Sequence, residues 1–335
     1  MHTRTAFWRD RDLKMVLFLF TVWLLVSVLS VLHAPNRPLA WPMFLTAFLP
    51  WSAVIAWWLL PRSVALANAW PLLLSVFGLA GVVLLPLAGG ADLVVWPMLL
   101  AFMGLAAAEG RRVIAVAAAF LLAAVVAALF AGNTGAWLIP PGLGVLMLFL
   151  PLPWGRRILP VVLSAIAVFA AGLAGARGFA PFDVAVVWMQ GVALWSGHFW
   201  LGNGIPLARL VGPGPQWVMV LFSMGMTGVL VLCLVLAGVW RVLGARGLGD
   251  EGIAAQARAG RTLVFGLGWG GLVSPLLMHP VGSAIFGLVV GAALVVRRAR
   301  ERAVRAQPIK RAQTLSATLI TLNEADRVKR CLESL

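Results

Sequence analysis

Long apolar stretches recur along this chain, and they decide what kind of protein it can be. A helix needs about 20 apolar residues to cross the hydrocarbon core of a bilayer. Runs of roughly that length occur at residues 15–32, 41–60, 67–87, 93–108, 113–131, 137–152, 158–174, 217–240, 262–277 and 282–296. With 62% hydrophobic and 11% charged residues, the composition excludes an ordinary soluble domain. The sequence predicts an all-α polytopic membrane protein with about ten transmembrane helices.

The distribution of basic residues predicts how these spans are oriented. If residues 1–14 are cytoplasmic, all of the 26 Lys and Arg residues except Arg37, Arg177 and Arg209 fall on the cytoplasmic side. This agrees with the positive-inside rule only if residues 175–216 stay outside as one long loop. Both termini are then cytoplasmic. The same rule explains the net charge of +15 without a nucleic-acid partner.

The outer loop at residues 175–216 contains an aromatic stripe. Read as a helix, Trp188, Val192, Trp195 and Phe199 share one face, which suits a helix lying in the membrane interface. The last two apolar runs, 262–277 and 282–296, predict a tight hairpin that turns at residues 278–280. The pair Pro140-Pro141 predicts a half-helix or a kinked helix in the sixth run.

The C-terminal part changes in character. Residues 297–314 form a basic juxtamembrane linker, which suits a solvated anchor or anionic lipid head groups. Residues 315–335 then predict a β-strand, a sharp turn at Asn323 and an amphipathic helix. Strand, turn and helix in this order open a doubly wound α/β domain, in which nucleotides bind at the end of the strand.

This last segment resembles the start of family-2 glycosyltransferases, particularly those that add sugars to lipopolysaccharide core. The resemblance rests on Thr321-Leu322-Asn323-Glu324, followed by Cys331-Leu332 and Ser334. It implies that Thr321, Asn323 and Glu324 border the nucleotide-diphosphate sugar, and that the complete domain uses Mg²⁺ or Mn²⁺. In the family, the metal-binding acidic motif and the catalytic base lie further downstream, so we expect the domain in this chain to be incomplete.

The membrane part resembles the C-terminal half of O-antigen ligases and polymerases. The shared features are Trp188 and Trp195, the turn Gly202-Asn203-Gly204, then Ala208-Arg209, and the small-residue pattern at residues 224–228. One departure is that the family usually places a His shortly before that last pattern, where this chain has residues 212–216 without one. The nearest His is His198.

Transfer of a glycan from a polyprenyl diphosphate needs a base for the acceptor hydroxyl and a cation for the leaving diphosphate. Imidazole suits the first task and guanidinium the second. The candidates are therefore His198 as catalytic base, with packing as its favoured alternative role, and Arg209, Arg177 and Arg37 as diphosphate ligands, against structural or lipid-pairing roles. His33 is expected to end the first span and His279 to cap a turn. The sequence contains no cluster of Cys and His residues that could bind a metal, so we expect no metal or other cofactor in the membrane domain.

These observations predict an inner-membrane protein of lipopolysaccharide or envelope polysaccharide synthesis. An O-antigen-ligase-like membrane domain (residues 15–296) would be fused to a cytosolic family-2 glycosyltransferase domain. Its partners would be membrane lipids, a polyprenyl-diphosphate-linked glycan or a lipid A-core acceptor, and a nucleotide-diphosphate sugar. A lipid-linked glycan flippase, a non-catalytic anchor for the transferase and a polyprenyl-monophosphate sugar transferase are the alternatives. A flippase would need polar residues along a path through the spans, and the sequence has almost none. The absence of a His before the eighth span keeps the anchor open. Monophosphate sugar transferases carry an acid in the first outer loop, and residues 33–40 of this chain contain none.

Overall fold

The computed structural model describes residues 11–87, 94–130, 134–149, 154–173, 181–195, 197–207, 214–244 and 251–306, and every regular element in these ranges is helical. A 3₁₀ turn at Leu49–Trp51 joins the helix Arg37–Phe48 to the helix Ser52–Leu59. The α-helices are α1 (Arg11–His33), α2 (Arg37–Phe48), α3 (Ser52–Leu59), α4 (Val64–Leu87), α5 (Val95–Ala107), α6 (Arg111–Phe130), α7 (Thr134–Phe149), α8 (Trp154–Leu173), α9 (Pro181–Trp195), α10 (Gln216–Leu243), α11 (Glu251–Gly270) and α12 (Pro280–Ala306). The prediction of a helical membrane protein is confirmed for this part of the chain.

The number of membrane spans differs from the prediction. Among the described residues, six helices are long and apolar enough to cross a bilayer: Arg11–His33, Arg37–Leu59, Val64–Leu84, Arg111–Phe130, Gln216–Leu243 and Pro280–Ala303. The figure of about ten spans is therefore wrong for the described ranges. Val95–Ala107, Pro140–Phe149 and Arg157–Phe169 are shorter apolar helices, and α11 carries Glu251, Arg258 and Arg261 in its first half.

The short helix α5 forms the centre of the bundle. Every residue in it except Leu100 is buried, and α4, α6 and α11 pack around it. Glycines allow this close packing, since a Cβ at Gly78 would lie 2.7 Å from the carbonyl oxygen of Pro97, and one at Gly104 would lie 2.8 Å from that of Pro71. A helix of this length buried on all sides is a core helix rather than an independent span.

Helix α1 packs against α10 and, through Phe20, against α12. Phe20 of α1 meets Phe286 of α12 edge to face, with ring centroids 5.6 Å apart. Gly287 and Gly291 of α12 lie directly over the backbone of Pro50 and Ala53. Small residues four apart let the two backbones approach, which is how helices associate where lipid removes the hydrophobic driving force.

At one end of the bundle, arginine side chains bind the last carbonyl groups of neighbouring helices. The Nε of Arg258 on α11 donates to the carbonyl oxygen of Ala106 at 3.2 Å, and the Nη2 of Arg261 donates to that of Gly244 at 3.0 Å. Helix C-termini carry partial negative charge and unpaired carbonyls, so a guanidinium stabilises them. The helix α11 starts eleven residues earlier than the predicted run at 262–277, and it includes Arg258, which is 5% exposed.

Two ion pairs close the same end. Arg298 of α12 lies 3.1 Å from Asp12 in the first turn of α1, and Arg300 lies 3.7 Å from Glu109 after α5. These residues belong to the end that the arginine distribution predicts to be cytoplasmic. His33 ends the 23-residue helix α1 at the opposite end, about 35 Å away along the helix.

The chain divides into two compact units, Met1–Arg300 and Glu301–Leu335. The described residues of the second unit are those that end α12. The predicted strand, turn and helix at residues 315–335 and the second part of the basic linker, residues 307–314, lie outside the described residues. The first part of the linker continues α12 as far as Ala306.

Candidate functional site

Helix α10 is interrupted nine residues after it begins. Gly225 has φ 66° and ψ −161°, a backbone conformation that glycine adopts and L side chains do not. The residues before and after it are helical, so α10 consists of two half-helices. The sequence contains Gly225 in a small-residue pattern but does not by itself predict a break.

The turn at residues 197–204 fills this interruption. Backbone groups on both sides of Gly225 bond to it and so stay paired within the apolar bundle. The bonds run from Asn203 N to Phe222 O at 2.8 Å, Gly204 N to Ser223 O at 2.9 Å, Met226 N to Phe199 O at 2.9 Å and Thr227 N to Trp200 O at 3.1 Å. The turn thus caps the end of one half-helix and the start of the next, and we call residues 197–204 the capping loop.

Helix α1 holds the capping loop from the other side. The hydroxyl of Ser30 lies 2.9 Å from the carbonyl oxygen of Leu201 and 2.5 Å from that of Ser223. Gly202 and Gly204 have φ of 64° and 69°. A Cβ at Gly202 would lie 2.5 Å from the backbone nitrogen of Gly225. The loop can approach Gly225 this closely because residue 202 is a glycine.

This arrangement brings two histidines together. The rings of His33, at the end of α1, and His198, in the capping loop, have centroids 6.0 Å apart and an interplanar angle of 74°. Both side chains are exposed. The position of His198 is fixed by its backbone, because its N–H donates to Trp195 O at 2.9 Å and its carbonyl accepts from Gly202 N at 2.9 Å.

Aromatic residues lie next to His198 in the chain. The ring centroid of Phe199 lies 5.0 Å from that of Trp195 and 5.1 Å from that of Trp200, which it meets edge to face. Trp200 is 63% exposed. Apolar rings at one end of a bundle suit the interface between lipid tails and water.

Of the predicted diphosphate ligands, the described residues include Arg37, which is exposed and begins α2 four residues after His33. Its partners in that prediction, Arg177 and Arg209, lie outside the described residues, as do the predicted nucleotide-sugar ligands Thr321, Asn323 and Glu324. Among the described residues no group of three or more His, Cys, Asp or Glu could hold a metal ion.

The segment predicted to lie in the membrane interface forms the helix α9, which is too short to span a bilayer. The four residues predicted to share one face of this helix, Trp188, Val192, Trp195 and Phe199, do not form its packed face. Gly191 is buried against Val218, and the indole of Trp188 donates to Leu272 O at 3.2 Å. Val192 is 40% exposed, and Phe199 lies beyond the helix because α9 ends at Trp195.

The turn between α11 and α12 completes this end of the bundle. It contains the predicted hairpin residues 278–280, and the Nδ1 of His279 accepts from Val281 N at 3.2 Å, as expected of a turn cap. The fully buried Gln216 enters this turn, and its Oε1 accepts from Leu277 N at 2.8 Å. The start of α10 is thus tied to the hairpin.

Sequence reasoning missed two residues of the site. His33 was assigned only to the end of a span, and Ser30 was not singled out. A buried serine within an apolar run is a weak signal, because such hydroxyls commonly bond to a carbonyl of their own helix. No protein-family model matches the sequence, and no curated protein matches it.

Proposed function

We propose that this chain is a glycosyltransferase-type membrane protein of bacterial envelope polysaccharide synthesis that acts at the extracytoplasmic face of the inner membrane. The observation that carries this proposal is the exposed pair His33 and His198, with aromatic residues next to His198 and with Arg37 four residues after His33. A base, a cation and an apolar rim at one end of a membrane bundle are the groups that a lipid-linked glycan requires.

The proposed reaction transfers a glycan from a polyprenyl diphosphate to an acceptor sugar. His198 takes the proton of the acceptor hydroxyl as its oxygen bonds to the anomeric carbon of the donor. The bond between that carbon and the diphosphate oxygen breaks, and the electron pair leaves with the diphosphate. Arg37 neutralises the charge that develops there, with Arg177 and Arg209 as further candidates.

The cytosolic part of the proposal rests on the resemblance of residues 315–335 to family-2 glycosyltransferases. Mg²⁺ or Mn²⁺ would assist nucleotide-sugar chemistry in that domain. Its predicted positions lie outside the described residues.

Substitution of His198 by glutamine tests the base. Purified protein in lipid vesicles would be supplied with a radiolabelled polyprenyl-diphosphate glycan and a lipid A-core acceptor. We expect the transfer rate of His198→Gln to fall by about 10²–10⁴-fold. His279→Gln is the matched control, since His279 caps a turn at the same end of the bundle. Transfer by His198→Gln at the wild-type rate, at equal protein amount, would remove the imidazole from the mechanism.

A lipid-linked glycan transporter is the second candidate, and the break in α10 favours it. Interrupted helices line the substrate sites of many transporters. Here, however, the chain's own capping loop occupies both half-helix ends. Movement of a fluorescent lipid-linked glycan between the leaflets of protein-containing vesicles, without any transfer to an acceptor, would select this candidate over the transferase.

A further inference from the structure

Trp240, Arg241 and Arg261 lie at the end of α10 that the arginine distribution predicts to be cytoplasmic. Trp240 is 38% exposed and Arg241 is exposed in the last turn of the helix. The guanidinium carbon of Arg261, from α11, lies 5.9 Å from the centre of the Trp240 ring. We call these three residues the inner arginine site.

The two arginines lie on one face of α10. Arg261 packs along Gly244, since a Cβ there would lie 3.2 Å from its Cγ and its Nε. Arg241 precedes Gly244 by three residues, a spacing that puts neighbours on the same side of a helix. Arg241 therefore lies on the side of α10 against which Arg261 packs.

Neither arginine forms an ion pair with an acid among the described residues. Two acids at this end pair with other arginines, Asp12 with Arg298 and Glu109 with Arg300. Glu251 on α11 lies ten residues before Arg261, about 15 Å along the helix.

Capping of α10 accounts for only part of the positive charge of these two arginines. A helix C-terminus is equivalent to about half a negative charge, and Arg261 uses one N–H group to bind Gly244 O. A guanidinium has five such donors, and the Nε of Arg261 is buried without an acceptor. Two guanidinium groups leave more than one unit of positive charge at the site.

We propose that the inner arginine site binds the phosphodiester head group of an anionic phospholipid from the cytoplasmic leaflet. Arg241 and Arg261 bind the phosphate oxygens, and Trp240 packs against the glycerol and the upper acyl chains. Guanidinium suits phosphate because its N–H groups match two oxygens at once. The exposed indole distinguishes the site from other cytoplasmic arginines, because it belongs at the level of lipid head groups.

Lipid binding to the delipidated full-length protein tests this proposal, with cardiolipin, phosphatidylglycerol and phosphatidylcholine as probes and native mass spectrometry as the readout. The decisive variant is Arg241→Gln, because Arg241 makes none of the contacts that cap α10. We expect it to bind cardiolipin about fivefold more weakly than wild type, the effect of one arginine at a membrane surface. Phosphatidylcholine binding should stay unchanged.

Arg112→Gln is the matched control, since Arg112 is an exposed arginine in the first turn of α6 at the same predicted end. Trp240→Leu keeps both charges, and we expect it to weaken cardiolipin and phosphatidylglycerol alike. The proposal is overturned if Arg241→Gln weakens cardiolipin binding no more than Arg112→Gln does. It is also overturned if inorganic phosphate at millimolar concentration displaces cardiolipin from the wild-type protein but not from Arg241→Gln, because the site would then serve a soluble anion.

Discussion

Replacement of Gly225 by alanine tests the helix break directly. A side chain at φ 66° and ψ −161° costs about 1–3 kcal/mol in backbone strain. The new Cβ would also press on the carbonyl group of Trp200, whose carbon would lie 2.5 Å away. If the capping loop is displaced, the hydrogen bonds around the break are lost as well, at about 0.6 kcal/mol each within a membrane.

Together these terms predict a destabilisation of about 3 kcal/mol or more, which corresponds to a fall in Tm of about 4–8 °C. The assay is thermal unfolding of the purified protein in detergent, with Gly268→Ala as the control. Gly268 lies in α11, and a Cβ added there would have no atom within 4 Å, so alanine should raise stability by up to about 1 kcal/mol. A Gly225→Ala protein with a Tm equal to that of wild type would mean that α10 is continuous and that the capping loop does not dock there.

Three further predictions follow from the packing and the topology. Ser30→Ala should lower stability by about 1 kcal/mol in the same assay, because the hydroxyl that donates to the carbonyl oxygen of Leu201 or of Ser223 is lost; an unchanged Tm would exclude that contact. Asp12→Asn should cost less than about 1 kcal/mol, since its ion pair with Arg298 is about a quarter exposed, and a larger loss in a double-mutant cycle would contradict this. In a cysteine-free background, a cysteine at Gly197 should react with a membrane-impermeant thiol reagent in intact cells and one at Glu251 should not; the reverse pattern would invert the topology.

The sequence predicts the helical class well, because hydropathy over some twenty residues depends on composition and not on distant contacts. It fails to separate spans from buried helices. The run at 93–108 is apolar throughout, so its pattern is the same whether α5 faces lipid or neighbouring helices. The packing of α4, α6 and α11 around α5 depends on tertiary contacts, which the hydropathy of residues 93–108 alone does not predict.

The helix α11 shows a different limit. The apolar run begins at Thr262, so the sequence places Arg258 in a cytoplasmic loop. In the structure Arg258 is buried, because the C-terminal carbonyl of Ala106 offers its guanidinium a partner 3.2 Å away. A buried charge becomes acceptable when a helix end compensates it, and that helix end lies about 150 residues away in the chain.

The candidate site depends on three segments that the sequence keeps far apart. His33 ends one helix, His198 lies in a loop and Gly225 lies within a third segment. Each is ordinary alone: a histidine at a span end, a histidine beside a glycine, and a glycine in an apolar helix. They come together because the break at Gly225 leaves backbone N–H and C=O groups that must form hydrogen bonds within the apolar bundle. The capping loop that pairs them carries His198, and Ser30 ties that loop to the helix that ends at His33. The requirement to satisfy one interrupted helix therefore determines where the two imidazoles lie, and substitutions at Gly225 or Ser30 should affect the histidine pair without touching it.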